Sequence, residues 1–183
     1  SHMSLLALVS VLALGVLILA APYRTQRFQT FLHPGKNPQG AGYQINQAFL
    51  AIGSGGVSGR GLGQSKQKFE YLPEVETDSI FAILAEEMGF IFVVIFLVIL
   101  AATFRQGYSI SKKAPDKFSQ LLAGGIMSWL VIQTFLNIGG IVGLIPMTGV
   151  PLPFVSYGGT ALTVALASIG IIANVSKYKK QYE

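Results

Sequence analysis

An almost uninterrupted apolar run from Ile80 to Phe104 is the feature that most constrains how this sequence can fold. The run is long enough to cross a bilayer as one helix. The chain as a whole is 51% hydrophobic and only 11% charged, with a mean hydropathy of +0.56. A soluble domain with a solvated surface does not normally have this balance, so the sequence predicts an integral membrane protein.

Three further apolar segments complete a prediction of four transmembrane helices, which gives an all-α fold. The first, Leu5 to Ala21, would span roughly 26 Å, and a signal peptide is the alternative interpretation. Residues 1–3 are interpreted as an expression scar, and we expect the native chain to begin further upstream. The chain has no cysteine, which excludes disulfides, thiolate nucleophiles and thiolate metal sites. The predicted spans are residues 4–21, 79–104, 118–144 and 155–175.

The basic residues predict the orientation of these helices. The formal charge is +5, and in a membrane protein such charges set topology and meet lipid phosphates rather than nucleic acid. The short loop 105–117 and the tail 176–183 are both basic, which predicts that both are cytoplasmic. The long loop 22–78 then faces outward as an extracytoplasmic loop, as does the short loop 145–154. Basic residues in the long loop weigh less because the positive-inside bias is weak for long loops.

The long loop contains a short helical pattern at residues 43–52. Ile45, Ala48, Phe49 and Ile52 recur at helical spacing, and Gly53 is placed to end the helix. The pattern predicts an amphipathic helix at the membrane surface, with packing on the protein's own bundle as the alternative.

The glycine-rich segment 53–63 follows, and it matches neither phosphate-loop pattern. We interpret it as a turn region whose backbone approaches the bilayer or a substrate closely.

Asp78 lies where the polar loop meets the apolar run. The Pro73 ring breaks the preceding structure, and Thr77 or Asp78 is placed to cap the following helix. A carboxylate at this boundary can contact a lipid-linked polar substrate without being buried in hydrocarbon. We therefore weigh two roles for Asp78, a reactive carboxylate and a helix cap.

The segment that joins the last two predicted helices contains three prolines, which forbid a regular helix. Irregular backbone at membrane depth persists only where protein buries it or where it lines a cavity. We expect this segment, which includes Ser156, to line the same cavity as Asp78. The alternative is a tight hairpin in which Gly158 and Gly159 allow close helix packing. The polar residues Gln133, Thr134 and Asn137 should face other helices rather than lipid.

Three blocks of this sequence resemble the SEDS family (shape, elongation, division and sporulation), which includes FtsW, RodA and SpoVE. They are Tyr43-Gln with Ala51-Ile-Gly-Ser-Gly-Gly56, Gly61-Leu-Gly-Gln-Ser-Lys-Gln-Lys68 through Thr77-Asp78 to Glu86-Glu87, and Ile145 to Thr160. The second block is more similar to the FtsW and SpoVE branch. The sequence departs from the family at Ser79, where Phe is usual, and at residues 33–38, where a more acidic stretch is common. The resemblance implies a fold of about ten helices in a bacterial plasma membrane, of which this chain is a fragment with the last four.

The resemblance also implies an activity, peptidoglycan glycosyltransfer that polymerises lipid II during cell division or sporulation. It implies a class B penicillin-binding protein, a transpeptidase, as partner. A lipid II flippase and a divisome scaffold are the alternatives. With half of the expected cavity wall absent, we expect these 183 residues alone to be inactive.

Asp78 is the candidate catalytic base. Glu86 lies about 80° round a helix from Asp78, and its alternative role is as a buried partner that holds the bundle. Glu70 and Glu74 could tune the base or hold a divalent cation, although the spacing predicts no dedicated metal site. The candidate substrate-binding residues are Arg60, Lys66, Lys68, Glu70, Glu74, Glu86 and Ser156. The alternative for the three cationic residues is that their side chains are only solvated or face lipid.

Overall fold

A computed structural model describes residues 8–9, 22–33, 41–67 and 77–178, and the regular structure in these ranges is helical. Apart from residues 8 and 9, the predicted helix 4–21 lies outside the described residues. The helices are α1 (Pro22–Leu32), α2 (Ala41–Gly55), α3 (Ile80–Lys112), α4 (Lys117–Ile141) and α5 (Gly159–Lys177).

Three of these helices are long and apolar enough to cross a bilayer. Their most apolar stretches have mean hydropathies of 2.6 in α3, 1.6 in α4 and 1.6 in α5. The apolar side chains on their outer faces remain exposed, as expected of surfaces that meet lipid rather than water.

Helix α3 is broken at Gly89, which has φ 77° and ψ −179°. The backbone groups that lose their helical partners there bond instead to residues 56–61 of the glycine-rich segment. The four bonds are Arg60 N–H to Glu86 O (3.0 Å), Gly61 N–H to Glu87 O (2.9 Å), Phe90 N–H to Gly56 O (2.9 Å) and Ile91 N–H to Val57 O (3.3 Å).

Glycine is required on both sides of this junction because the two backbones nearly touch. A Cβ atom on Gly89 would collide with the backbone of Ser58 and Gly59, and one on Gly59 would collide with the backbone of Glu87 and Met88. The segment 53–63 therefore approaches the backbone of α3, whereas the sequence predicted an approach to the bilayer or a substrate.

The break separates two parts of α3 that have different surroundings. Before it, Phe81, Ile83 and Glu86 are buried in protein, whereas the large apolar side chains of Phe90 and Ile91 directly after it are exposed. The predicted span 79–104 is helical in the structure, but the helix is broken at Gly89 and continues to Lys112. The lipid-facing part of α3 begins after the break.

Helix α2 is longer than the predicted 43–52 and packs on the bundle. Gly53 lies within it and does not end it, because the left-handed residue that follows the helix is Gly56, with φ 57°. Ile45, Ala48 and Ala51 are buried in a core cluster with residues of α3 and of the connector between α4 and α5. The structure therefore shows the second of the two predicted arrangements, a helix that packs on the protein's own bundle.

The connector between α4 and α5 spans residues 142–158, which is longer than the predicted loop 145–154. Besides its three prolines, it contains Gly143 (φ 73°), Gly149 (φ 71°) and Phe154 (φ 68°), and residues in this left-handed conformation cannot continue a helix. Helix α5 begins only at Gly159, where a Cβ would meet nothing within 4 Å, so close helix packing is not the reason for this glycine.

The opposite end of the bundle contains the short loop 113–116 and the end of α5. Asp116 is the N-cap of α4: its Oδ2 accepts a hydrogen bond from the Ser119 N–H (2.8 Å), and its Oδ1 accepts one from the Ser119 hydroxyl (2.8 Å). A second core cluster joins α4 and α5 through Ala123, Met127, Leu130, Ala165 and Ile172.

The junction at Gly89 leads to a first prediction. Gly89→Ala should lower the free energy of unfolding by about 3 kcal/mol or more, because the methyl group meets backbone and the residue is left-handed. The matched control is Gly125→Ala in α4, where a Cβ meets nothing and helix propensity should improve by up to about 1 kcal/mol. Thermal unfolding in detergent measures both, and similar stabilities for the two variants would contradict the role of the junction.

The cap of α4 predicts a pH dependence. The hydrogen bonds from Ser119, the backbone bond first, lower the pKa of Asp116 below its ordinary value of 3.8. A carboxyl group whose pKa is lowered on folding stabilises the fold above its unfolded pKa and loses this contribution as the pH falls through its folded pKa. The unfolding temperature of Asp116→Asn should lie below that of the unchanged protein at pH 7, and the difference should shrink below about pH 4. A difference that stays constant from pH 7 to pH 3 would exclude the charge as its cause.

Candidate functional site

Asp78 lies directly before α3, and only 8% of its surface is exposed. Its Oδ1 accepts hydrogen bonds from Gln44 Nε2 and from the Ser79 hydroxyl, both at 3.4 Å, and Gln44 also donates to that hydroxyl at 3.2 Å. Ser79, rather than the predicted Thr77 or Asp78, occupies the N-cap position, and its side chain makes no capping bond. Helix α2 therefore holds one oxygen of the Asp78 carboxylate through Gln44.

Two carboxamides of helix α4 hold the connector, and one of them also holds the backbone of Asp78. Asn137 Nδ2 donates to the backbone oxygen of Asp78 (2.8 Å) and to that of Val150 (2.7 Å). One turn earlier, Gln133 Nε2 donates to the backbone oxygen of Pro151 (3.0 Å). Asn137 and Thr134 are buried, which confirms that these polar residues face protein rather than lipid.

Asp78, Asn137 and connector residues 147–150 line one small cleft of about 10 Å³. The connector thus lines the same cleft as Asp78, as the sequence predicts. Its backbone, which can form no helix, is held by side-chain donors from α4, and it presents the Gly149 backbone towards the carboxylate.

Arg27 of α1 brings a positive charge to the edge of this cleft, a position that could not be expected from the sequence. Its Nη1 donates to the backbone oxygen of Met147 (2.9 Å). The point where a Cβ of Gly149 would lie is 3.5 and 3.7 Å from the two terminal nitrogens of Arg27 and 3.6 Å from Asp78 Oδ2. The guanidinium and the carboxylate therefore flank the same side of Gly149.

Glu86, the second carboxylate of this part of α3, has different surroundings. It is 1% exposed, does not line the cleft, and binds the end of α2 and the segment that follows α2. Its partners are the Ser65 hydroxyl (2.5 Å), the Ser54 hydroxyl (3.3 Å), the Lys66 N–H (3.3 Å) and Arg60 Nη1 (3.6 Å). These contacts are typical of a structural carboxylate, the alternative role considered for it.

The other predicted substrate-binding residues lie away from the cleft or beyond the described ranges. The charge of Arg60 pairs with Glu86, and the side chain of Lys66 is exposed. The Ser156 hydroxyl accepts a hydrogen bond from the Leu152 N–H (2.7 Å) and so closes a turn within the connector. Lys68, Glu70 and Glu74 lie outside the described residues.

These observations define a class: a helical membrane protein with a broken helix and a buried carboxylate in a cleft at one end of its bundle. A family model described as "Cell cycle protein", that of FtsW, RodA and SpoVE, matches residues 1–181. The chain belongs to this family, the SEDS proteins, and with its apolar helices it is a multi-pass membrane protein.

Three relatives illustrate the similarity. Stage V sporulation protein E of Bacillus subtilis is 46% identical over 180 residues, which cover 98% of this chain and 49% of that protein. A probable peptidoglycan glycosyltransferase FtsW of Bacillus subtilis is 46% identical over 160 residues (87% and 40%). The peptidoglycan glycosyltransferase MrdB of Escherichia coli K12 is 43% identical over 159 residues (86% and 43%). The chain thus spans about half the length of the curated relatives it matches.

Two solved structures have a similar fold. One, from a study of the structural coordination of polymerization and crosslinking by a peptidoglycan synthase complex, matches with a TM-score of 0.71 and 25% identity, covering 99% of this chain and 49% of that one. The other is a crystal structure of a mutant of the Thermus thermophilus rod shape determining protein RodA. It matches with a TM-score of 0.55 and 30% identity, covering 74% of this chain and 41% of that one.

The contacts of Glu86 predict a structural effect on mutation. Glu86→Ala should lower the free energy of unfolding by about 3 kcal/mol, because the Ser65 hydroxyl and the Lys66 N–H lose this acceptor and Arg60 loses its ion-pair partner. Its neighbour Glu87 is the matched control, since Glu87 Oε1 is buried without a hydrogen-bond partner in the described part of the chain. Thermal unfolding of Glu86→Ala and Glu87→Ala in detergent tests this, and equal losses would contradict it.

Proposed function

We propose that this protein is a peptidoglycan glycosyltransferase that polymerises lipid II, with Asp78 as the catalytic base. The observation that carries the proposal is the buried Asp78 carboxylate, which lines a cleft beside the guanidinium of Arg27. The FtsW and MrdB relatives, which are named as peptidoglycan glycosyltransferases, support the same reaction class.

The reaction needs one proton acceptor and one source of positive charge. Asp78 takes the proton of the acceptor sugar's hydroxyl as that oxygen attacks the anomeric carbon of the donor. The bond between this carbon and the diphosphate oxygen breaks, and undecaprenyl diphosphate leaves with the electron pair. Arg27, an obligate cation with a planar fork of donors, offsets the charge that develops on the diphosphate. A single displacement that inverts the anomeric centre needs no second carboxylate, whereas glycosidases use two.

The surrounding contacts suit Asp78 to this task. Gln44 occupies Oδ1, while Oδ2 lies on the side of Gly149 and Arg27. Asn137 fixes the backbone of Asp78 and of Val150 at once, so the carboxylate and the cleft wall cannot shift independently. A positioned base of this kind typically contributes roughly 100-fold to 10,000-fold to the rate.

The direction in which the cleft faces is part of the proposal. Asp78 and the connector lie at the end of the bundle opposite to the basic loop between α3 and α4 and to Lys177 at the end of α5. The positive-inside rule assigns that basic end to the cytoplasm. Asp78 then faces the extracytoplasmic side, and the break at Gly89 keeps it beyond the lipid-facing part of α3.

We also propose a class B penicillin-binding protein, a transpeptidase, as the partner of this protein. The similar structure from a study of a peptidoglycan synthase complex that coordinates polymerization and crosslinking supports this proposal. Purified together, the two proteins should co-elute in size-exclusion chromatography in detergent, and separate elution at micromolar concentrations would count against the partnership.

The role of Asp78 is tested in the full-length protein supplied with lipid II. Asp78→Asn should lower the rate of glycan polymerisation, measured on gels, at least about 100-fold, because the amide cannot accept the proton. Asp116→Asn is the matched control: the same substitution at the opposite end of the bundle should leave the rate within about twofold. Arg27→Gln should also lower the rate, by about 10-fold or more, through the loss of a charge at the leaving group.

The same assay separates the proposal from its alternatives. Undiminished polymer from a folded Asp78→Asn protein would dismiss Asp78 as the base. Lipid II that crosses the bilayer of vesicles without forming polymer would favour a transporter, for which a cleft between broken helices would also serve.

A further inference from the structure

The carboxamide of Asn137 leaves one atom without a partner. Nδ2 uses both of its hydrogens, one for the backbone oxygen of Asp78 and one for that of Val150. Because both partners are carbonyl oxygens, which only accept, the atom that faces them must be the nitrogen, and the position of the amide oxygen is thereby fixed. In the part of the chain that the structure describes, this oxygen, Oδ1, is buried and receives no hydrogen bond.

A buried acceptor without a donor is destabilising, and such atoms are rare enough in folded proteins that each requires an explanation. Asn137 is 3% exposed and lines the cleft that contains Asp78. An O–H or N–H group that enters this cleft would supply the missing hydrogen bond. The unpaired oxygen therefore points to a ligand that carries a donor.

We propose that Asn137 Oδ1 accepts a hydrogen bond from a hydroxyl of the acceptor sugar, one that does not itself attack, and thereby orients the sugar against Asp78. This inference rests on the proposed function, and it makes Asn137 a substrate-binding residue. The diphosphate cannot fill this position, because its ionised oxygens only accept hydrogen bonds. In this arrangement the guanidinium of Arg27 contacts the anionic group, and the oxygens of Asn137 and Asp78 contact the sugar.

The size of the cleft agrees with this assignment. Its volume of about 10 Å³ has room for roughly one water-sized group, so it admits a hydroxyl at the edge of a sugar ring and not a whole ring. The edge of a sugar ring presents neighbouring hydroxyls, which can donate to two acceptors that lie close together, Asn137 Oδ1 and the Asp78 carboxylate. Asn137 is bonded directly to the backbone of Asp78, so the two side chains keep a fixed relation.

Gln133 provides an internal control of the same chemistry. Its Nε2 also donates to a connector carbonyl, that of Pro151, and its Oε1 is also buried without a partner among the described residues. Gln133, however, does not line the cleft with Asp78. A substitution of Gln133 disturbs the attachment of the connector in the same way but leaves the proposed sugar contact in place.

The experiment measures binding in the full-length protein with Asp78→Asn, so that no turnover occurs. The probes are lipid II and lipid II analogues that each lack one non-attacking hydroxyl of the terminal sugar. We expect one analogue to bind about 10-fold more weakly than lipid II, because Oδ1 then stays unpaired. When Asn137→Leu is added, lipid II and this analogue should bind with equal affinity. When Gln133→Leu is added instead, the difference in affinity should remain. This comparison is a double-mutant cycle between the side chain and the sugar hydroxyl.

The outcomes separate this inference from the proposed function. If all analogues bind as tightly as lipid II while Asn137 is intact, the inference is overturned. This comparison uses no Asn137 variant, so it does not depend on whether such a variant folds. A difference that persists in a folded Asn137→Leu protein would also overturn it. A protein that distinguishes the analogues through Asn137 but makes no polymer when Asp78 is intact would contradict the proposed glycosyltransferase while confirming the sugar contact.

Discussion

The backbone bonds across the break at Gly89 are the interaction on which this end of the molecule depends. A helix interrupted near the apolar part of a bilayer exposes N–H and C=O groups that lipid cannot satisfy, and each such group is costly. Residues 56–61 supply the missing partners on both sides of Gly89. Because that segment directly follows α2, the same bonds fix α2 against the first part of α3. Glu86 reinforces the junction through the hydroxyls of Ser54 and Ser65.

Two carboxylates near the start of α3, Asp78 directly before it and Glu86 within it, have surroundings that suit different roles. The Glu86 carboxylate is enclosed by hydroxyl, amide and guanidinium donors, so its capacity to accept further hydrogen bonds is largely used. At Asp78, Gln44 and Ser79 contact one oxygen, and the other lies beside a cleft and a guanidinium. Spacing along a helix cannot distinguish these roles, whereas the number and position of the donors around each carboxylate can.

Sequence reasoning reached those parts of the structure that depend on local composition. The apolar runs of α3, α4 and α5 follow from hydropathy, and the irregular connector follows from its prolines. The break at Gly89 could not be predicted, because a glycine inside a helical pattern costs only about 1 kcal/mol and usually leaves the helix intact. Its conformation is decided by a segment some thirty residues earlier in the chain. Arg27 was missed for a related reason, since only the tertiary fold brings α1 beside Asp78.

The connector explains why the polar groups of the cleft gather where they do. Its turns leave the carbonyl oxygens of Met147, Val150 and Pro151 without helical partners, and the side chains of Arg27, Asn137 and Gln133 donate to them. Each of these side chains has more hydrogen-bonding capacity than one carbonyl uses. The guanidinium of Arg27 also lies beside Gly149 and the Asp78 carboxylate. The amide oxygen of Asn137, which has no partner among the described residues, belongs to a side chain that lines the cleft with Asp78. Side chains that satisfy an irregular backbone, Arg27 and Asn137 among them, thus also contribute to the chemistry of the cleft.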